Sequence, residues 1–60
     1  MRLNKNQKIR IKTSKAVGYI KEYSTFNSNL VFVDLYKKYK DKLLFDKTEL
    51  FEINEIENIS

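Results

Sequence analysis

The sequence contains no cysteine, histidine, proline or tryptophan, and its single glycine is Gly18. Without cysteine and histidine, disulfide bonds and the usual zinc sites are excluded. The commonest nucleophiles and general bases of enzymes are missing as well. Acidic pairs such as Asp41 with Asp46 are expected to be solvated, and no glycine-rich phosphate loop is present. We therefore predict a protein that is not an enzyme and that binds no metal and no cofactor.

Long hydrophobic runs are also missing. No segment approaches the roughly 18 apolar residues that a membrane span requires, and the basic N-terminus is not followed by the apolar stretch of a signal peptide. We therefore expect no membrane contact and a cytoplasmic location. Sixty residues correspond to one small domain, which we predict over residues 1–60, with residues 55–60 as a frayed acidic tail. The abundance of Lys, Asn and Ile suggests a bacterial or phage origin.

Charge is distributed unevenly along the chain, whose net charge is +4. Residues 1–21 carry seven cations and no acid, whereas residues 46–60 carry five acids against Lys47 alone. Such a chain is suited to bind a polyanion, a charged protein surface or a second copy of itself. We expect a monomer or a small homo-oligomer, and we expect the acidic tail to offset part of the basic first strand within the fold.

Alternating patterns predict three strands in the first two thirds of the chain. "QKIRIK" places Ile9 and Ile11 on one face and cations on the other, which is typical of a half-buried strand. "AVGYIKEYS" is rich in β-branched and aromatic residues. "LVFVDLY" is apolar on both faces, which predicts an internal strand. Polar segments, "TSK" and "TFNSN", separate the three strands and predict turns.

The last third of the sequence is compatible with two architectures. "KKYKDK" fits a hairpin tip followed by two more strands, "LLF" and "LFEI". The i, i+4, i+8 spacing of Leu35, Tyr39 and Leu43, together with the cap-like "DKTE", fits a helix instead. The candidates are therefore a sheet of about five short antiparallel strands, or a three-stranded sheet followed by one or two short helices.

The ordered series of these segments resembles the small SH3-like β-barrels that include KOW-type domains. The pieces that carry the resemblance are the basic–aliphatic strand, "Gly-x-Ile" at Gly18, the "V-x-V" core at Val31, and the "D-x-x-E-L" turn at Asp46. The resemblance covers about residues 5–54, and it implies an all-β fold and a binding function. It departs from the family pattern at "TSK", where a loop glycine is absent. A coiled barrel also gives Gly18 a role, at a point where a strand bends or bulges.

Two groups of residues are candidates for the binding site. Outward-pointing cations of the first strand would lie about 7 Å apart, and tyrosines of the next strand would offer stacking surfaces between them, as in single-stranded nucleic-acid grooves. We predict low-specificity nucleic-acid binding by Lys8, Arg10, Lys12, Lys15, Tyr19, Lys21, Tyr23, Lys37, Lys38 and Lys40. The alternative is a protein-interaction or regulatory accessory module that uses tyrosine-bearing loops and a sheet edge. Its candidate residues are Phe26, Tyr36 and Tyr39.

Overall fold

The computed structural model describes residues 3–59, and these residues form one antiparallel sheet of five strands. The strands are β1 (Lys8–Ile11), β2 (Val17–Tyr23), β3 (Leu30–Tyr39), β4 (Lys42–Glu52) and β5 (Ile56–Asn58). Their order across the sheet is β4-β3-β2-β1-β5. The first four strands follow one another as neighbours, and β5 returns to pair with β1. The sheet is not closed, so β4 and β5 are its two edges.

The prediction of an all-β fold is confirmed, and the alternative with helices after the third strand is wrong. Residues 42–52 form a strand that pairs with β3 from Tyr39↔Lys42 to Leu30↔Glu52. The backbone pairing along this hairpin outweighs the helical spacing of the apolar side chains. Within residues 3–59 the only helix is a single 3₁₀ turn, Ile53–Glu55, where the Glu52 amide donates to Glu55 Oε1 at 2.9 Å.

The hydrophobic core lies on one face of the coiled sheet. The residues that strand alternation predicted to point inward lie on this face. Ile9, Ile11, Val31 and Val33 are each at most 2% exposed. The buried apolar side chains are Leu3, Ile9, Ile11, Ile20, Val31, Val33, Leu35 and Ile56. We call the other side of the sheet the outer face.

Gly18 does not sit at a bulge, contrary to our expectation. It is paired in regular register with Ile9 on one side and Leu35 on the other. The irregularity in β2 comes later, between Ile20 and Glu22. A Cβ at position 18 would lie 2.7 Å from the Asp34 carbonyl oxygen and 2.7 Å from Val33 Cγ1. The position therefore requires glycine because β3 approaches its backbone too closely for a side chain.

The acidic C-terminal segment is not the frayed tail that we expected. Residues Ile56–Asn58 form β5, which pairs with β1, and Ile56 is buried opposite Ile11. Burial of Ile56 and backbone pairing with β1 hold this segment in the fold. The ends of the predicted 1–60 domain, Met1, Arg2 and Ser60, lie outside the described residues.

Candidate functional site on the outer face

Two rows of side chains cross the outer face, because directly opposed residues in antiparallel strands share a face. The register gives one row as Lys8, Tyr19, Asp34 and Thr48, and the next as Glu57, Arg10, Val17, Tyr36 and Phe45. The second row spans all five strands. The outer face therefore carries cations of β1 and aromatic rings of β2, β3 and β4, with Lys8 directly opposite Tyr19.

The three rings form what we call the aromatic ladder: Tyr19, Tyr36 and Phe45. Tyr19 and Tyr36 meet edge to face, with ring centroids 5.5 Å apart and planes at 89°. Tyr36 and Phe45 repeat this arrangement at 5.8 Å and 80°. Edge-to-face pairs are a favoured aromatic geometry, so each ring fixes the position of the next. The two tyrosines are half-buried, whereas Phe45, on the edge strand, is 56% exposed. Phe45 therefore offers the most accessible ring of the ladder.

Arg10 forms an ion pair with Glu57 of β5. Its Nη1 donates to Glu57 Oε1 at 3.3 Å, and both side chains remain about 40% exposed (42% and 38%). This confirms, for Glu57, that the C-terminal acids offset the basic first strand. Glu52 and Glu55 make the 3₁₀-turn contact with each other instead. An exposed ion pair of this kind is weak, about 0.2–1 kcal/mol.

Four exposed lysines are gathered at one end of β1, β2 and β3. Lys12 and Lys15 lie in the turn between β1 and β2, and Lys38 and Lys40 lie at the tip of the β3–β4 hairpin. Because Val17 pairs with Tyr36, the turn and the hairpin tip extend from the same end of these strands. We call these four lysines the basic end. It adjoins the row that contains Arg10, Tyr36 and Phe45.

Some residues of the predicted nucleic-acid site lie elsewhere. Tyr23 belongs to the core face, because the bulge near Lys21 reverses the alternation of β2, and its hydroxyl accepts a 2.8 Å hydrogen bond from the Leu3 amide. Lys21 itself lies towards the opposite end of β2 from the basic end. Lys37 lies on the other face of the hairpin and its Nζ is 3.9 Å from Asp46. Lys12 is not the third cation of a strand row, since β1 ends at Ile11.

The residues proposed for the protein-interaction alternative do not form one surface. Phe26 is 75% exposed in the loop between β2 and β3, at the end of the sheet away from the hairpin tip. Tyr36 is part of the aromatic ladder. Tyr39 is opposite Lys42 on the face of the hairpin that does not carry the ladder, and Lys40 Nζ lies 5.6 Å from its ring centroid.

Sequence reasoning missed Phe45, the most exposed member of the ladder. The signal that identifies it is the hairpin tip. If Lys40 and Asp41 form the turn, Tyr39 opposes Lys42, and counting back along both strands places Tyr36 opposite Phe45, as observed. The same count pairs "LLF" with Lys38, Lys37 and Tyr36 of β3.

The comparisons with known proteins supply no relative. No protein-family model matches the chain, and neither the curated proteins nor the solved structures contain a significant match. In the described part of the chain, no helix has the length and apolar character needed to cross a membrane. Among residues 3–59, no three His, Cys, Asp or Glu side chains are grouped so that they could hold a metal ion. The geometry of the outer face is therefore the basis for inferring a function.

Proposed function

We propose that this chain is a non-enzymatic module that binds single-stranded nucleic acid on its outer face, with low sequence specificity. The observation that carries the proposal is the aromatic ladder beside Lys8 and Arg10, with the basic end at its margin. Proteins that bind single strands without reading their sequence combine cations that follow the phosphates with aromatic rings on which bases stack. The outer face supplies both kinds of group on one antiparallel sheet.

The two kinds of group would have separate roles. Stacking of a base on an aromatic side chain contributes about 1–3 kcal/mol, and Phe45 offers the most accessible ring. Phosphate contacts would come from Lys8 and the basic end, with Arg10 contributing when it leaves Glu57. Neither role reads the hydrogen-bonding edges of the bases, so little discrimination between sequences is expected.

The strand arrangement supports the resemblance to SH3-like barrels, which we extend here as part of the proposal. Four strands follow as neighbours, and the fifth returns beside the first. This connectivity gives a small antiparallel sheet with its core on one face. The KOW-type likeness would make nucleic acid a natural partner for such a sheet, and the basic strand β1 is the element that this likeness and the outer face share.

Salt dependence and charge reversal test the proposal. Fluorescence anisotropy of a labelled single-stranded oligonucleotide should show binding that weakens with salt. Five phosphate contacts, from Lys8 and the basic end, predict a slope of log affinity against log salt of about −3.5. A Lys12→Glu/Lys38→Glu variant removes two of these contacts, so its slope should fall to about −2.

The matched control is Lys5→Glu/Lys21→Glu. Both double variants lower the net charge by four, from +4 to zero, but Lys5 and Lys21 lie away from the basic end. Equal losses of binding in the two variants would show that only net charge matters and would refute the site. No binding by the wild type at low salt would refute the function itself and would favour a protein partner.

Substitution of Phe45 tests the stacking role. Phe45→Ser should weaken binding about 5- to 100-fold, the equivalent of about 1–3 kcal/mol, with little change in the salt slope. Phe26→Ser removes an even more exposed ring from the loop at the far end and should leave the affinity unchanged. If the two variants bind alike, the aromatic ladder is not the stacking surface.

A further inference from the structure

Among the residues that the structure describes, strand β4 is a long edge with no neighbour on one side. It has eleven residues, Lys42–Glu52, and pairs only with β3. All its residues are exposed except Phe51, which is half-buried. The opposite edge, β5, has only three residues. A long exposed edge presents unpaired backbone groups to which another strand can pair, so β4 is the natural place to look for a partner.

Apolar side chains lie at both ends of β4, while its middle carries features that discourage pairing. Leu43, Leu44 and Phe45 occupy one end, where Leu43 is 51% and Leu44 43% exposed, and Leu50 and Phe51 occupy the other. Between them are a bulge at Asp46 and an ion pair in which Lys47 Nζ lies 3.4 Å from Glu49 Oε1. Bulges and charged side chains are the devices that protect exposed edges. Residues 43–45 and 50–51 contain neither device, although Lys42 and Glu52 flank them.

The two ends of β4 complement each other when the strand meets a copy of itself in antiparallel orientation. The bulge reverses the alternation, so the outer-face positions are Leu43, Phe45, Thr48, Leu50 and Glu52, as their partners in β3 show. Leu44 and Phe51 lie on the other face. Opposed residues must share a face, and a two-fold register that meets this condition sets Leu44 against Phe51 and Phe45 against Leu50. Apolar side chains then meet on both faces.

Charge selects the antiparallel orientation of a second copy. The hairpin end of β4 is basic, with Lys38, Lys40 and Lys42, and the other end carries Glu52. In the antiparallel arrangement the hairpin end of each β4 lies beside the Glu52 end of its partner, whereas a parallel arrangement would place the two hairpin ends, with their lysines, together. Complementary charge at facing ends favours this orientation, and like charge disfavours the parallel one.

We propose that β4 pairs with β4 of a second copy to form a two-fold dimer with one continuous sheet. The same edge is used by both copies, so the contact closes on itself. The three-residue β5 is left as the outer edge of each copy, which is too short to continue the assembly readily. This proposal stands independently of nucleic-acid binding.

Sedimentation velocity of the full chain, without nucleic acid, tests the dimer. The wild type should shift from monomer to dimer as its concentration rises, and added salt should not dissolve the dimer because apolar contacts carry it. Leu44→Lys places a charge opposite Phe51 of the second copy and should leave only monomer. Leu44 lies on the face away from the aromatic ladder, so this variant should still bind nucleic acid if the proposed function is correct.

The matched control is Phe26→Lys, which replaces another exposed apolar side chain with the same charge and should still dimerise. Circular dichroism establishes that both variants are folded. A wild type that stays monomeric, a dimer that persists in Leu44→Lys, or assemblies that grow beyond the dimer would each overturn the proposal.

A unique cysteine near the two-fold axis tests the register of the β4 pair, since the chain has no cysteine of its own. In the proposed register, position 48 of one copy lies close to position 48 of the other, beside the two-fold axis. Thr48→Cys should therefore form a covalent dimer under mild oxidation, whereas Phe26→Cys should not. If Thr48→Cys stays monomeric on a denaturing gel under those conditions, antiparallel pairing of β4 is wrong.

Discussion

Replacement of Gly18 by alanine is the most direct test of how β2 and β3 pack. The added methyl group would lie 2.7 Å from the Asp34 carbonyl oxygen, 2.7 Å from Val33 Cγ1 and 3.2 Å from Leu35 Cδ2. Ordinary contacts of a Cβ are longer than 3.4 Å. The carbonyl belongs to the paired backbone of β3, so it cannot move without disturbing the sheet. Strand β3 must shift away from β2, or the methyl group must remain compressed.

The magnitude follows from two opposing effects. Overpacking of a tight interior typically costs about 1–3 kcal/mol. Gly18 does not have a positive φ, so alanine also restricts the unfolded chain and recovers about 0.4–1 kcal/mol. The net loss should be about 1–2 kcal/mol. A domain of this length is stabilised by about 3–9 kcal/mol in total, and the midpoint of thermal unfolding should fall by about 5–15 °C.

Urea unfolding followed by far-ultraviolet circular dichroism measures this loss, and a double-mutant cycle assigns it. Val33→Ala removes Cγ1, one of the atoms that the new methyl group would meet. The double variant Gly18→Ala/Val33→Ala should therefore be more stable than the sum of the single losses predicts, by about 0.5 kcal/mol or more. Gly18→Ala at wild-type stability, or strict additivity in the cycle, would refute the close approach of β3 as the reason for this glycine.

Two further substitutions separate structural from functional roles. Tyr23→Phe removes the acceptor of the Leu3 amide and should lower the free energy of unfolding by about 1 kcal/mol. Because its ring lies on the core face, oligonucleotide affinity in the anisotropy assay should not change; a large loss of affinity would contradict the placement of Tyr23. Glu57→Gln frees Arg10 from its ion pair and should cost less than about 1 kcal/mol of stability while strengthening oligonucleotide binding at low salt. Unchanged or weaker binding would show that Arg10 does not contact phosphate.

The elements that alternate regularly could be predicted from the sequence alone. Ile9 and Ile11 in β1, and Val31 and Val33 in β3, are buried as their period of two implies. The hairpin tip and the two polar turns were also predictable, because Asn, Ser and Lys–Asp segments interrupt apolar strands. The helical interpretation of Leu35, Tyr39 and Leu43 was wrong because i, i+4 spacing can also arise when two strands fold back on each other at a turn.

Single-residue bulges account for most of what could not be predicted. A bulge shifts the alternation by one and moves every later side chain of the strand to the other face. The irregularity between Ile20 and Glu22 takes Tyr23 out of the proposed site, and the bulge at Asp46 puts Thr48 and Leu50 on the face that carries Phe45. Nothing in the residue types near Lys21 or Asp46 marks these positions. Their locations depend on how β3 packs against both neighbours, which is a property of the whole sheet.

Phe45 takes part in both proposals, nucleic-acid binding and β4 pairing, because it is the member of the aromatic ladder that lies on the edge strand β4. If β4 pairs with its copy, Phe45 opposes Leu50 of the second copy, and the two outer faces become one surface with two ladders on either side of the new contact. The hairpin tips of the two copies then lie at opposite ends of the β4 contact. The lysines of the two basic ends therefore point in opposite directions. An oligonucleotide long enough to reach both aromatic ladders would bind the second ladder at a raised effective concentration, so its affinity would increase. A short oligonucleotide would show no such increase. If affinity rises with oligonucleotide length in the wild type but not in Leu44→Lys, the increase requires both the aromatic ladder and the β4 pairing. If the increase persists in the monomeric variant, it comes from the larger number of overlapping binding sites on a longer oligonucleotide.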